Sequence, residues 1–193
     1  IEVFNCDLET PLGLLEKVLE LKLFNDQLTL IENQHAYYLI YQVLIELEAE
    51  DKLKYFDELQ LSSGTINLLA GTIMEYRMAG YKAKDIEVDK FIETEKTEDL
   101  KLINKNYHEK LKQENYLDQA AAYQLALTKE IFNLKAAVII LPEDVELSYL
   151  EKEFLNKIKN KSPEAHNFKR NINNEQDFEA EFLAAYGSTN EVN

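Results

Sequence analysis

The chain has 193 residues, 46% of them hydrophobic, with nine Phe and eleven Tyr, enough apolar surface to offset the entropy of folding and to exclude a disordered tail. Its 36 acidic against 21 basic side chains leave a formal charge of −15, a field that repels phosphate backbones and argues against unassisted nucleic-acid binding. One cysteine, Cys6, excludes an internal disulfide, nothing resembles a four-ligand zinc site, and a reducing, cytoplasmic setting fits.

No apolar run approaches the roughly 18 residues of a membrane span, and no basic start followed by an apolar stretch suggests a signal peptide. The expectation is a soluble chain without a membrane partner. Ile1 points to a trimmed methionine or to a piece of something longer.

Residues 1–4 read as a short strand. Thr10 and Pro11 then supply a helix cap and a first-turn proline, opening a helix to about Phe24. Over residues 31–49 the apolar Tyr37, Ile40, Tyr41, Leu44 and Leu47 recur with the spacing of a helix packed on one side. Ser62 or Ser63 caps a third helix whose Ile66, Leu69, Ile73 and Tyr76 share a face, and Gly80 is placed to end it in a left-handed conformation. The charged, aperiodic stretch 81–97 reads as a loop.

Leu100, Ile103, Tyr107 and Leu111 form the next amphipathic stripe, which Asn115 breaks, and Asp118 caps a helix through Ala120, Tyr123 and Leu127. Residues 136–141 are uninterruptedly apolar, a strand expected to be buried on both faces as in a parallel sheet, and Pro142 closes it. Ser148 and Glu151 make a capping box for a helix with Leu150, Phe154, Leu155 and Ile158 on its apolar face. Residues 159–177 are polar and read as a surface loop or a partly disordered stretch. A last strand is expected at 182–186, then Gly187 and a helix start at 188–192. The fold class is mainly α with a small β component.

Chemistry is sparse. The five glycines form neither phosphate-loop pattern, and Gly64 and Gly71 read as packing or capping residues. Glu32 and His35 have the E-x-x-H spacing of carboxylate-bridged metal sites, which need two such motifs. Only one exists, and both side chains fall opposite the Tyr37/Ile40/Leu44 face, toward solvent. His108 and His166 read as surface histidines, Cys6 as a small apolar filler. Glu50 and Lys52 make an isolated E-x-K on a helix end. The carboxylates of 46–58 and 87–99 read as solvated faces and loops. No catalytic residue and no metal site emerges.

From Leu61 onward the order of segments resembles the helicase-like N-terminal half of the AddB-type (RexB-type) subunits of bacterial helicase–nucleases and their PD-(D/E)XK relatives. Three stretches carry the likeness. Residues 63–66 run on to Glu75, Arg77, Ala79 and Gly80, similar to that family's "E-x-R-x-A-G" helix. Residues 99–127, with Asp118 on a turn, are similar to its "Y…L…LD…DLL" arrangement. The strand at 138–141 with 147–155 after it, and then Ala185, Gly187, Glu191 and Val192, are similar to its "A-x-G-x-x-x-E-V" opening of a second helicase-like domain.

The resemblance implies an architecture in four parts: 1–30 as the edge of a nucleotide-binding core, 31–135 as a helical insertion domain, 136–160 as a core strand and helix, and 161–193 as a polar loop and the start of the second helicase-like domain. The helical domain would pack on a remnant of a parallel helicase-like sheet. It also implies a non-catalytic fragment of a DNA-repair and recombination protein, with ATP and a divalent metal bound elsewhere in the parent and none within these residues. The partners implied are DNA, through the parent, and a helicase–nuclease partner subunit. Arg77 and Glu191 would make DNA or interdomain contacts, Arg77 positioning a phosphate or pairing near Glu75; the plain alternatives are a surface arginine and a helix-start acid. Gly80, Asp118 and Gly187 would be structural. Two other classes remain open: a free-standing acidic helical module for protein–protein interaction, and, last, a small carboxylate enzyme.

Overall fold

In the computed structural model the described residues are 9–56, 62–85, 93–132, 139–142, 145–161 and 165–168. Among them are six α-helices and four short strands: α1 (Pro11–Asp26), β1 (Thr29–Leu30), α2 (Asn33–Ala49), α3 (Ser63–Met78), α4 (Thr94–Gln113), β2 (Tyr116–Leu117), α5 (Gln119–Lys129), β3 (Ile139–Pro142), α6 (Tyr149–Lys161) and β4 (Ala165–Phe168), with a 3-10 turn at Ala83–Asp85. The chain is mainly helical with small parallel pairs of strands. The expected elements at 1–4, 182–186 and 188–192, with Cys6, Gly187 and Glu191, lie outside the described residues.

Helix starts follow local chemistry. Thr10 accepts from the Gly13 amide at 3.0 Å ahead of Pro11, Ser62 accepts from Thr65 at 3.2 Å, and Asp118 accepts from Ala121 at 2.8 Å, each satisfying an amide that the first helical turn leaves free. The Ser148/Glu151 capping box forms in both directions: Glu151 Oε2 accepts from the Ser148 amide at 2.8 Å, and Ser148 Oγ accepts from the Glu151 amide at 3.4 Å.

Helix ends are less local. Five close near a residue with positive φ, and only Gly80 (φ 85°) is a glycine; the others are Gln27, Asp51, Asn115 and Glu130. At Gly80 the Tyr81 amide donates to Tyr76 O and the Gly80 amide to Arg77 O, the paired bonds of a Schellman ending.

Two compact units divide the chain: 1–134 with 148–158, and 135–147 with 159–193. In the first unit α1 contacts α5, and residues 148–158 of α6 belong with the helices. In the helical unit, α2 packs on both α3 and α4, burying Ile40, Val43, Leu44 and Leu47 with Leu69, Ile73, Ile103 and Tyr107. Burial of such side chains stabilises by about 1.5–3 kcal/mol each. Tyr123 and Phe154 meet edge to face at 5.3 Å, packing α6 beside α5.

Here β1 pairs with β2 in parallel, Thr29 opposite Tyr116 and Leu30 opposite Leu117, which sets the start of α2 beside the start of α5. In the second unit β3 pairs in parallel with β4, Ile139 opposite Ala165 and Pro142 opposite Phe168.

Several expectations are corrected. The buried stripe of α2 runs through Ala36, Leu39, Ile40 and Val43, so Tyr41 stands at its exposed edge. Residues 94–97 are helical, because α4 begins at Thr94. The supposed loop 159–177 contains the end of α6 and all of β4, including His166. Asp99, expected in solvent, is 2% exposed. Its carboxylate accepts from the amides of Lys54, Tyr55 and Phe56 at 2.8–3.1 Å, which fastens the segment after α2 to α4.

Gly80 and Gly71 make contrasting tests of backbone demand. A Cβ at Gly80 would stand 3.0 Å from the Tyr149 ring in a left-handed conformation, whereas at Gly71 its nearest neighbour is the Tyr37 hydroxyl at 3.8 Å. Gly80→Ala should therefore cost at least about 1–2 kcal/mol in urea unfolding, and Gly71→Ala should be neutral or stabilise by up to about 1 kcal/mol.

Candidate functional site

Two of the residues that the sequence singles out, Arg77 and Asp118, meet at one buried point. Arg77, in the last turn of α3, reaches across to Asp118, the N-cap of α5: Nε donates to Oδ2 at 2.7 Å and Nη2 to Oδ1 at 3.0 Å. Nη1 donates to Asn104 Oδ1 at 3.3 Å, and the guanidinium lies 5.1 Å from the centre of the Tyr107 ring, a cation–π contact with α4. Arg77 is 6% exposed and Asp118 0%. Asp118 Oδ1 also accepts from the Ala121 amide at 2.8 Å.

Arg77 is therefore not the surface arginine of the plain alternative, nor does it pair near Glu75. Its flat fork matches a carboxylate in two parallel bonds, and that match joins α3, α4 and α5 through side chains 27 to 41 residues apart. Gly80 ends α3 just after Arg77, and β2 ends just before Asp118, so both partners sit on fixed backbone.

Burial, and then the charge and a hydrogen bond of Asp118, push the Tyr107 pKa well above its ordinary value, so the hydroxyl stays protonated; it also makes a weak contact with Met74 Sδ at 4.0 Å. His108, on the outer side of α4, is half-buried. Burial first, then the Arg77, Lys112 and Lys82 cations, lower its pKa against the opposing pull of Asp118. It is thus not the plain surface histidine expected.

Glu32 and His35 are exposed as expected, and the His35 ring packs edge to face on Tyr116 at 5.0 Å. Glu50 and Lys52 bond each other at 2.6 Å, a local pair at the end of α2. No group of three or more His, Cys, Asp or Glu side chains suited to a metal occurs among the described residues.

A shallow cleft of about 260 Å³ opens where α1, α2 and α5 begin. Leu12, Leu30 and Ile31 line it, with Glu16, Glu32, Asn33 and Gln119. Larger apolar exposure lies on the helices: Leu21 and Phe24 of α1 are 75% and 82% exposed, and Tyr38 and Ile45 of α2 are 55% and 41%.

No family model and no curated protein matches the chain. No described helix is long and apolar enough to cross a membrane.

Sequence reasoning named Arg77 and Asp118 separately and missed that they are partners; it missed Asn104, Tyr107 and Asp99 as members of buried polar contacts. The partners come from different helices, and no local periodicity encodes such a meeting.

Removing one member of the pair strands the other. Arg77→Met should cost about 3–5 kcal/mol in urea unfolding followed by circular dichroism. Adding Asp118→Asn, which keeps the helix cap without its charge, should restore most of that loss.

The lowered pKa of His108 means that the unfolded chain takes up its proton first as pH falls. Its contribution is full above the ordinary imidazole value, about 6.5, and declines through and below it. His108→Gln should make the stability curve flatter than wild type between about pH 7 and 5.

Proposed function

We propose that the chain is a non-catalytic scaffold segment of a DNA-processing helicase–nuclease subunit of the AddB type, acting in double-strand break repair or recombination. In this reading ATP and the divalent metal are bound by other parts of the parent, and these residues hold the helical framework in contact with DNA or with the partner subunit. The setting is cytoplasmic.

One observation supports it above the rest. Arg77 and Asp118 belong to two separate stretches that carry the sequence resemblance, and they bond each other in the helical unit. A bidentate buried pair gives both motifs a common architectural purpose.

A second reading, a free-standing interaction module, draws on the exposure of Leu21, Phe24, Tyr38 and Ile45. Apolar side chains of that size on helix faces suit a protein partner, and the charge of −15 suits a basic one.

The two readings separate on the mass of the native polypeptide, detected in its own cells with an antibody to this segment. A band several times larger than 22.5 kDa, precipitating together with ATP-dependent nuclease activity on linear duplex DNA, is the expected result. A band at 22.5 kDa without that activity would remove the helicase–nuclease reading and leave the interaction module.

A further inference from the structure

Helix α2 is apolar on two sides. Its buried stripe, with Ile40, Val43 and Leu47, faces α3 and α4. Roughly opposite, at about 100° per residue, stand Tyr38, Tyr41 and Ile45, which are 55%, 38% and 41% exposed. Residues 36–45 carry no charged side chain, in a chain whose residues are 30% charged. A helix apolar on both sides is normally covered on both.

The outer residues have the spacing of a helix-packing seam. Tyr38, Tyr41 and Ile45 are separated by three and then four residues, the interval by which one helix presents side chains along another, and they lie within about 60° of one another around the axis. Gln34 and Glu48 continue the seam at either end with polar groups. Tyr38 is already oriented: Gln42 Nε2 donates to its hydroxyl at 2.9 Å. A ring held in place loses less rotamer entropy when a partner arrives.

Charge decides what the seam accepts. Helix α2 contains no lysine or arginine, and α3 contains one, Arg77, which is enclosed with Asp118. Lys110 of α4 reaches α2 but is bonded to Glu46 at 2.6 Å, and Lys52, just beyond α2, is bonded to Glu50 at 2.6 Å. Glu48 of α2 enters no ion pair among the described residues, and Glu75 is exposed on α3. The charges left on these two helices are therefore acidic, in a chain of net charge −15.

A second copy fits poorly. The exposed parts of the three side chains offer roughly 300 Å² or less, against about 800 Å² from each partner in a stable interface, and a copy would add a second −15 across so small a contact. A basic partner adds attraction instead.

We propose that the outer seam of α2 is a docking site for an amphipathic helix of another protein, one with basic residues flanking its apolar stripe. The partner's apolar side chains pack between Tyr38, Tyr41 and Ile45, and its cations lie toward Glu48 and the acidic surroundings. The inference rests on the interaction reading above, whose surface and partner it specifies.

The test is fluorescence anisotropy of the 193-residue chain with a labelled synthetic peptide of about 21 residues, three heptads with leucine at both seam positions and lysine on the flanks. Two further peptides are compared: one with glutamate in place of lysine, and one of the same composition reordered to alternate apolar and basic residues. The first peptide should bind and gain helix by circular dichroism, and the other two should not bind. Tyr38→Gln with Ile45→Gln should weaken binding by about tenfold or more. Leu21→Gln with Phe24→Gln, the same change at exposed apolar positions of α1, should leave it within about twofold. Glutamine suits a helix interior, and circular dichroism confirms that each variant folds before binding is read.

Absence of binding, equal losses in the two double variants, or equally tight binding of the glutamate or reordered peptide would each overturn the site. Concentration-dependent dimers in sedimentation that Tyr38→Gln with Ile45→Gln abolishes would assign the seam to a second copy and overturn it too. A native band several times larger than 22.5 kDa with seam-dependent binding would sink the free-standing module and leave the docking site in a longer protein; a band at 22.5 kDa with an inert seam would do the reverse.

Discussion

The helical unit depends on one buried ion pair. Taking a guanidinium and a carboxylate out of water costs several kcal/mol per ion, and their attraction compensates only when nearly every polar atom finds a partner. Here Asp118 receives two bonds from Arg77 and one from the Ala121 amide, and the remaining side of the guanidinium meets Asn104 and the Tyr107 ring. That arrangement exists in one register only. If α3 slid or turned by a single residue against α5, two charges would be left buried and unmatched. We read the pair as what fixes the order of α3, α4 and α5, while the apolar core supplies most of the stability.

Asp99 applies the same logic at a second joint. Its carboxylate gathers three consecutive backbone amides, Lys54 to Phe56, groups that a segment leaving a helix would otherwise bury without partners. With Asp118 it shows that the acids among the described residues are of two kinds: most are exposed, while a few are structural and contribute little charge outward because their partners are fixed. Net charge counted from composition cannot separate the two.

This division bears on function. A catalytic centre draws polar groups together around a space that a substrate enters. The Arg77–Asp118 cluster is closed instead, filled by its own side chains, and its tyrosine is held protonated by burial. Among the described residues the helical unit turns outward apolar side chains on α1 and α2 and the small cleft at the helix starts.

What the sequence determined by itself was whatever depends on neighbours along the chain. Helix starts at Thr10, Ser62, Asp118 and Ser148 were legible because a capping oxygen and the amides it serves lie within three residues. The end of α3 was legible because only glycine enters the left-handed region freely. Gln27, Asp51 and Glu130 adopt that conformation too, but nothing in their chemistry announces it, since packing and backbone bonds of the surrounding helices impose it. Tertiary structure alone decided the β1–β2 pairing, the burial of Asp99 and the partnership of Arg77 with Asp118. Each joins residues about 40 or more positions apart, and no helical or strand period carries information over such a distance; only the packed core brings them within reach.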